Sequence, residues 1–162
     1  MTALRDIEHS LPMQLLRARE AAMAHFRPLL RRHELTEQQW RVLRVLASEG
    51  DCDATELARR SMLLAPSLSR ILSHLESQGL VSRRADAADQ RRTALALTAA
   101  GRRKYRKVGP DSEALYGQIE RRFGRKKLAV LYGLLAELNQ ALATEPTLNG
   151  APEGAQAEES LC

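Results

Sequence analysis

Residues 53–98 read DATELARRSMLLAPSLSRILSHLESQGLVSRRADAADQRRTALALT, and this stretch decides the fold. Asp53 followed three residues later by Glu56 predicts a capping box at the start of a short helix, each side chain meeting an orphan backbone N–H. Leu57 and Ala58 give that helix an inward stripe. Pro66 suits the first turn of a second helix, because the N–H it lacks has no intrahelical partner there. Leu68, Ile71, Leu72 and Leu75 recur at helical spacing, and Gly79 marks the exit. The opposite face of this Pro66–Ser77 helix carries Ser67, Ser69, Arg70, Ser73 and His74. Small and basic hydrogen-bonding groups on one helix face permit close approach to a major groove, with Arg70 able to reach a guanine edge or a phosphate.

Val81–Arg84 and Thr93–Leu97 read as two strands, with Leu95 and Leu97 alternating against their neighbours. Between them ADAADQRR is a charged, turn-rich tip. A helix-turn-helix followed by a two-stranded wing is the order of a winged DNA-binding module. Arg83, Arg84, Arg91 and Arg92 are then candidates for phosphate or minor-groove contact, and Asp89 for an intra-wing partner of Arg91. Taken singly, each arginine reads equally well as a solvated surface charge.

The same residues carry a resemblance. The turn Gly79-Leu80-Val81-Ser82-Arg83, the wing element Asp89-Gln90-Arg91 and the exit Leu97-Thr98-Ala99-Ala100-Gly101, in this order, resemble the MarR family of winged helix-turn-helix regulators. The resemblance covers about Ser10 to Leu142. The run SLPMQLLRAREAAMAHFRPLLRRHELTEQQWRVLRVL is similar to the HpaR subgroup, which regulates homoprotocatechuate degradation. The resemblance implies a mainly α fold with a small β wing: one domain over 1–143, with the winged helix-turn-helix at 34–98 and dimerisation helices at 1–33 and 99–143. It further implies a cytoplasmic homodimeric repressor on double-stranded pseudo-palindromic operator DNA, its two recognition helices roughly 34 Å apart. A small aromatic acid effector would bind between the dimer helices and the winged domain. Arg17 is the expected partner of its carboxylate, with Ser10, Met13, Trp40 and Arg41 lining the pocket. Alternatively Arg17 pairs with Glu20 or faces water.

Composition supports a folded protein. The 162 residues are 44% apolar but only 4% aromatic, so the core should be built of Leu, Val and Ala. The net charge of +5 understates the basic bias, because residues 144–162 hold four acids and no Lys or Arg. A basic chain suits a polyanionic partner. No run approaches the ~20 apolar residues of a membrane span, and the start MTALRDIEHSLP does not resemble a signal peptide. Two cysteines, Cys52 and Cys162, make no disulfide framework.

Flanking segments read as helices. Leu11, Leu15, Ala18, Ala22, Phe26 and Leu29 lie mainly on one face of a helix over about Ser10–Arg32, with a kink or break expected at Pro28. Thr36 and Gln39 form a second capping box, opening a helix to about Ser48. Cys52 falls in a short extended connection. After Thr98 a basic helix begins, which Gly109-Pro110 should interrupt, with Asp111 or Ser112 capping its resumption. Leu128, Leu131, Leu135, Leu138 and Leu142 form an apolar seam of coiled-coil type on a last helix from Arg125 to Ala143, facing either a second copy or its own chain. Residues 144–162 are Gly-, Pro-, Ala- and Glu-rich and should be disordered.

Other classes find little support. The four histidines are dispersed, and no HExxH, CxxC, GxSxG or phosphate-loop spacing occurs, so neither an enzyme, a metal site nor a cofactor is expected. A thiol-based redox sensor on the same fold would need Cys52 exposed and acidified. An effector-independent architectural DNA-binding protein is the remaining alternative.

Overall fold

The computed structural model describes residues 6–85 and 93–143. A 3-10 turn, Ile7–His9, precedes α1 (Leu11–Arg32), α2 (Glu37–Glu49), α3 (Ala54–Ser61), α4 (Ala65–Ser77), β1 (Val81–Ala85), β2 (Thr93–Leu97), α5 (Ala99–Phe123) and α6 (Arg125–Leu142). The chain divides into two compact units, Met1–Gln118 and Ile119–Cys162, and α5 carries the backbone from the first into the second.

In the first unit the core is leucine-built. Leu43 of α2, Leu57 of α3, Leu75 of α4 and Val108 of α5 are completely buried, with Leu30 of α1 and Leu95 of β2 nearly so. Each such side chain contributes roughly 1.5–3 kcal/mol of transfer free energy, so packing rather than propensity carries these short helices. Thr36 opens α2 with both halves of its capping box: Gln39 N–H donates to Thr36 Oγ1 at 3.1 Å, and Thr36 N–H donates to Gln39 Oε1 at 2.8 Å. The box expected at Asp53 is only half formed. Glu56 N–H donates to Asp53 Oδ1 at 2.8 Å, but the Glu56 carboxylate turns away to the guanidinium groups of Arg59 and Arg60. A charge-assisted bond to a guanidinium outcompetes a neutral backbone donor.

Two further expectations are corrected. Pro28 neither breaks nor ends α1, which runs on to Arg32, and Gly109-Pro110 does not interrupt α5. An internal proline costs about 3 kcal/mol, but here buried neighbours flank each one: Phe26, Leu29 and Leu30 around Pro28, Val108 and Ser112 around Pro110. Their packing holds the helix through the defect.

The wing root follows from one crowded junction. α4 ends with Gly79 at φ 66°, Gly79 N–H donating to Glu76 O at 2.9 Å and Leu80 N–H to Leu75 O at 2.9 Å. This is the double-bonded helix exit that favours glycine in the left-handed region. β1 and β2 then pair antiparallel in the register Val81↔Leu97, Arg83↔Leu95 and Ala85↔Thr93. Cys52 bridges the other side of β2, with Leu95 N–H donating to its carbonyl at 2.8 Å. Ala96 is buried together with Leu95 and Leu97, so the expected in–out alternation of β2 is absent at this end. The strand is enclosed on both faces where it enters the core.

Thr98 ties this junction together: its hydroxyl donates to Gly79 O at 2.6 Å and accepts from Gly101 N–H at 3.0 Å, capping α5. A Cβ on Gly101 would meet Leu80 O at 2.0 Å. The exit motif Leu97-Thr98-Ala99-Ala100-Gly101 therefore has a packing reason for its last residue.

In the second unit Leu128 of α6 is buried, while Val130, Leu131, Tyr132, Leu134 and Leu142 are exposed. In the first unit Leu11, Leu15 and Leu16, at the start of α1, are exposed as well. Among the described residues no helix is long and apolar enough to cross a membrane.

Candidate nucleic-acid interface and effector region

α4 buries Leu68, Leu72 and Leu75 and turns Ser67, Ser69, Arg70, Ser73 and His74 to solvent. The predicted reading face is thus assembled as one continuous exposed strip. Ser73 Oγ donates to Ser69 O at 3.0 Å, leaving its oxygen free to accept. Arg70 is exposed and makes no ion pair among the described residues, so its N–H donors are available.

On the wing, Arg84 is exposed and Arg83 is engaged: its Nε donates to Glu76 Oε1 on α4 at 2.7 Å. Asp89, Arg91 and Arg92 lie outside the described residues.

The residues expected to hold an effector are dispersed over α1 and α2. Ser10 precedes α1 without a hydroxyl cap bond, and Met13 is half-buried one turn later. Arg17 does not pair with Glu20; its Nη1 donates to both carboxylate oxygens of Glu8 at 3.1 Å. Glu20 is held below the usual carboxylate range by the hydrogen bond from Arg27, with Arg19 adding to it. Trp40 is buried and stacked on Tyr105, ring centroids 5.4 Å apart. Arg41 reaches across to the turn between α3 and α4, where its Nη1 donates to Ser61 O at 3.0 Å and Met62 O at 3.4 Å. Partial burial lowers its guanidinium pKa, with the Arg19 charge a lesser cause.

A cleft of about 290 Å³ in the first unit is lined by residues of α2, β2 and α5, among them Leu46, Leu97, Arg102 and Tyr105. None of the five expected effector residues lines it.

Sequence reading missed a second set. Arg44 Nη1 donates to the Tyr116 hydroxyl at 3.2 Å, and Tyr116 lies against Phe26 with ring centroids 5.0 Å apart. The available signal was Arg44 four residues after Trp40, which places both on one face of α2. Tyr116, on α5, has no such local signal. Burial pushes the Cys52 thiol pKa up, against the direction a reactive thiolate needs. Among the described residues no three His, Cys, Asp or Glu side chains gather as a metal site.

Two helices, a tight turn, a third helix with a polar outer strip and a two-stranded wing define a winged helix-turn-helix protein. Residues 35–93 match the MarR family. The chain is 44% identical over 129 residues to the HTH-type transcriptional regulator FarR of Neisseria gonorrhoeae, covering 80% of this chain and 88% of that one. It is 45% identical over 128 residues to the homoprotocatechuate degradative operon repressor of Escherichia coli, covering 79% and 86%. Its fold superposes on NadR in complex with 4-hydroxyphenylacetate with a TM-score of 0.75, at 42% identity, covering 82% of this chain and 96% of NadR. The chain belongs to the MarR family and is a transcriptional regulator.

Proposed function

We propose that the chain is a cytoplasmic homodimeric repressor that binds a pseudo-palindromic operator and releases it when a small aromatic carboxylate binds. The observation that carries DNA binding is the exposed Ser67–His74 strip of α4, flanked by the arginines of the wing. Relatives named for homoprotocatechuate degradation and for a 4-hydroxyphenylacetate complex support the effector class. The exposed apolar residues of α1 and α6 support a second copy as the partner of both helices.

Within the effector region the charge balance favours Arg44 over Arg17 as the carboxylate partner. Arg17 is paired with Glu8, and Arg41 donates from Nη1 to the two carbonyls of the α3–α4 turn. Arg44 meets only a phenol hydroxyl and a solvent-facing side. A carboxylate at Arg44 with its ring toward Phe26 and Trp40 satisfies both ends of an aromatic acid, with Tyr116 left to hydrogen-bond it. Ser10 and Met13 lie roughly 20 Å along α1 from Phe26, so they complete the pocket only when a second copy supplies them. For release the effector must bind the DNA-free state better, and a difference of about 100-fold corresponds to roughly 2.7 kcal/mol of coupling.

The test is footprinting of the DNA flanking the gene with and without 4-hydroxyphenylacetate and homoprotocatechuate, paired with calorimetry of wild type, Arg44→Ala and Arg17→Ala. Protection of an inverted repeat, lifted by the acid, is expected, with effector affinity lost in Arg44→Ala and kept in Arg17→Ala. Equal affinity in all three would remove both arginines from the site.

A further inference from the structure

The turn into α4 is built against local preference. Leu64 stands at the N-cap of α4 and makes no side-chain cap bond, where Ser, Thr, Asp or Asn would satisfy a free N–H. Met62 adopts the left-handed region, φ 52° and ψ 49°, where glycine or asparagine is favoured. Both side chains are bare: Met62 is 81% and Leu64 78% exposed. Leu63 between them packs on the core. The turn is not loose, because Arg41 clamps the carbonyls of Ser61 and Met62 and Leu63 N–H donates to Ala58 O at 3.0 Å. Three unfavourable choices thus coincide on a braced turn.

Their position supplies the reason. Leu64 is directly followed by Ala65, Pro66 and Ser67, the N-terminal residues of the helix whose outer strip faces DNA, and such residues meet base edges. The apolar group a base offers in the major groove is the thymine C5-methyl. We infer that Met62 and Leu64 form an apolar reading edge, continuous with the polar strip of α4, that packs on thymine methyl groups in each operator half-site. This inference rests on the DNA-binding reading above. It adds a readout of thymine that neither Arg70 nor the serines provide, since a hydroxyl or guanidinium gains nothing from a methyl group.

The experiment uses the full chain and duplexes of its selected binding site, with single thymines replaced by uracil. Uracil keeps its pairing and its O4 acceptor and loses only the methyl. Wild-type affinity, followed by fluorescence anisotropy, should fall about 4-fold at one or two thymines per half-site, the loss expected for one buried methyl group. Leu64→Ala and Met62→Ala should bind the thymine duplex more weakly, with at least one of them indifferent to the uracil change. Leu64→Ser should gain a cap, raising the melting temperature, while losing the same thymine sensitivity. Indifference of wild type to every uracil, or full sensitivity kept in both alanine variants, would overturn the inference while leaving operator binding intact. A changed oligomeric state with unchanged thymine sensitivity would assign the edge to a second copy and overturn it too. A wild type that prefers no duplex over random sequence would remove the DNA-binding reading itself.

Discussion

Arg83, at the root of the wing, donates from Nε to Glu76 Oε1 on the last turn of α4 at 2.7 Å. The wing and the recognition helix are therefore joined by a charge pair on the surface that must meet DNA. The Arg83 side chain is 48% exposed, so the pair contributes little to stability, about 0.5 kcal/mol. Its larger effect is on DNA. Glu76 competes with phosphate for Arg83 and adds a negative charge near a polyanion.

Glu76→Gln should therefore tighten binding to all duplexes a few-fold at low salt and steepen the salt dependence by up to about one unit. Anisotropy titrations between 50 and 200 mM salt, roughly the range over which such slopes are resolved, would read it. Weaker binding in Glu76→Gln would mean that Glu76 aims Arg83 instead of restraining it.

Gly101 passes over the Leu80 carbonyl so closely that a Cβ would sit 2.0 Å from its oxygen and 3.2 Å from Leu97 Cδ2. The nearest obstacle is backbone, which cannot swing aside. Gly101→Ala should cost about 2–3 kcal/mol and lower Tm by roughly 5–10 °C. Gly109→Ala, whose Cβ meets no heavy atom within 4 Å apart from its chain neighbours, should lower Tm less, its strain limited to the Pro110 ring that follows. Equal melting of the two variants would show that the α5 start can move.

Glu56 is pushed down to about 2 by hydrogen bonds from Arg59 and Arg60. A depressed carboxylate pKa stabilises the fold above the unfolded value and loses that contribution as pH falls toward the folded one. The loss should appear between about pH 4.5 and pH 2. In Glu56→Gln the acid limb of the stability profile should be shallower across this window. Parallel acid limbs, in urea titrations over that range, would mean the ion pair persists on unfolding.

The exposed leucines of α6 should be covered by a second copy. Leu131→Glu combined with Leu134→Glu should weaken dimerisation by at least about 100-fold, because an unpaired carboxylate in an apolar interface costs several kcal/mol. Sedimentation equilibrium would show wild type as a dimer and the double variant as a monomer. A dimer that survived both charges would place the interface elsewhere.

Most of what is periodic or stereochemically obligatory was legible in the sequence, the alternation of β2 and the second half of the Asp53 box excepted. Helical spacing placed α2, α4 and α6 to within about a residue. The Thr36 box, the Gly79 exit and the strand limits Thr93–Leu97 followed from local hydrogen-bond and φ preferences. The exposed strip of α4 was readable for the same reason, since a helix that buries one face must show the other. Tertiary packing settled what local rules left open or got wrong. Buried neighbours carried α1 and α5 through Pro28 and Pro110, where single-residue preference argues for a break. Side-chain partners were decided by groups distant in the chain: Glu8 for Arg17, the Ser61 and Met62 carbonyls for Arg41, Tyr116 for Arg44. Backbone patterns repeat within a few residues and so leave a trace in order and spacing. A long charged side chain takes whichever partner the fold brings within about 3 Å, and that choice exists only once the helices have packed.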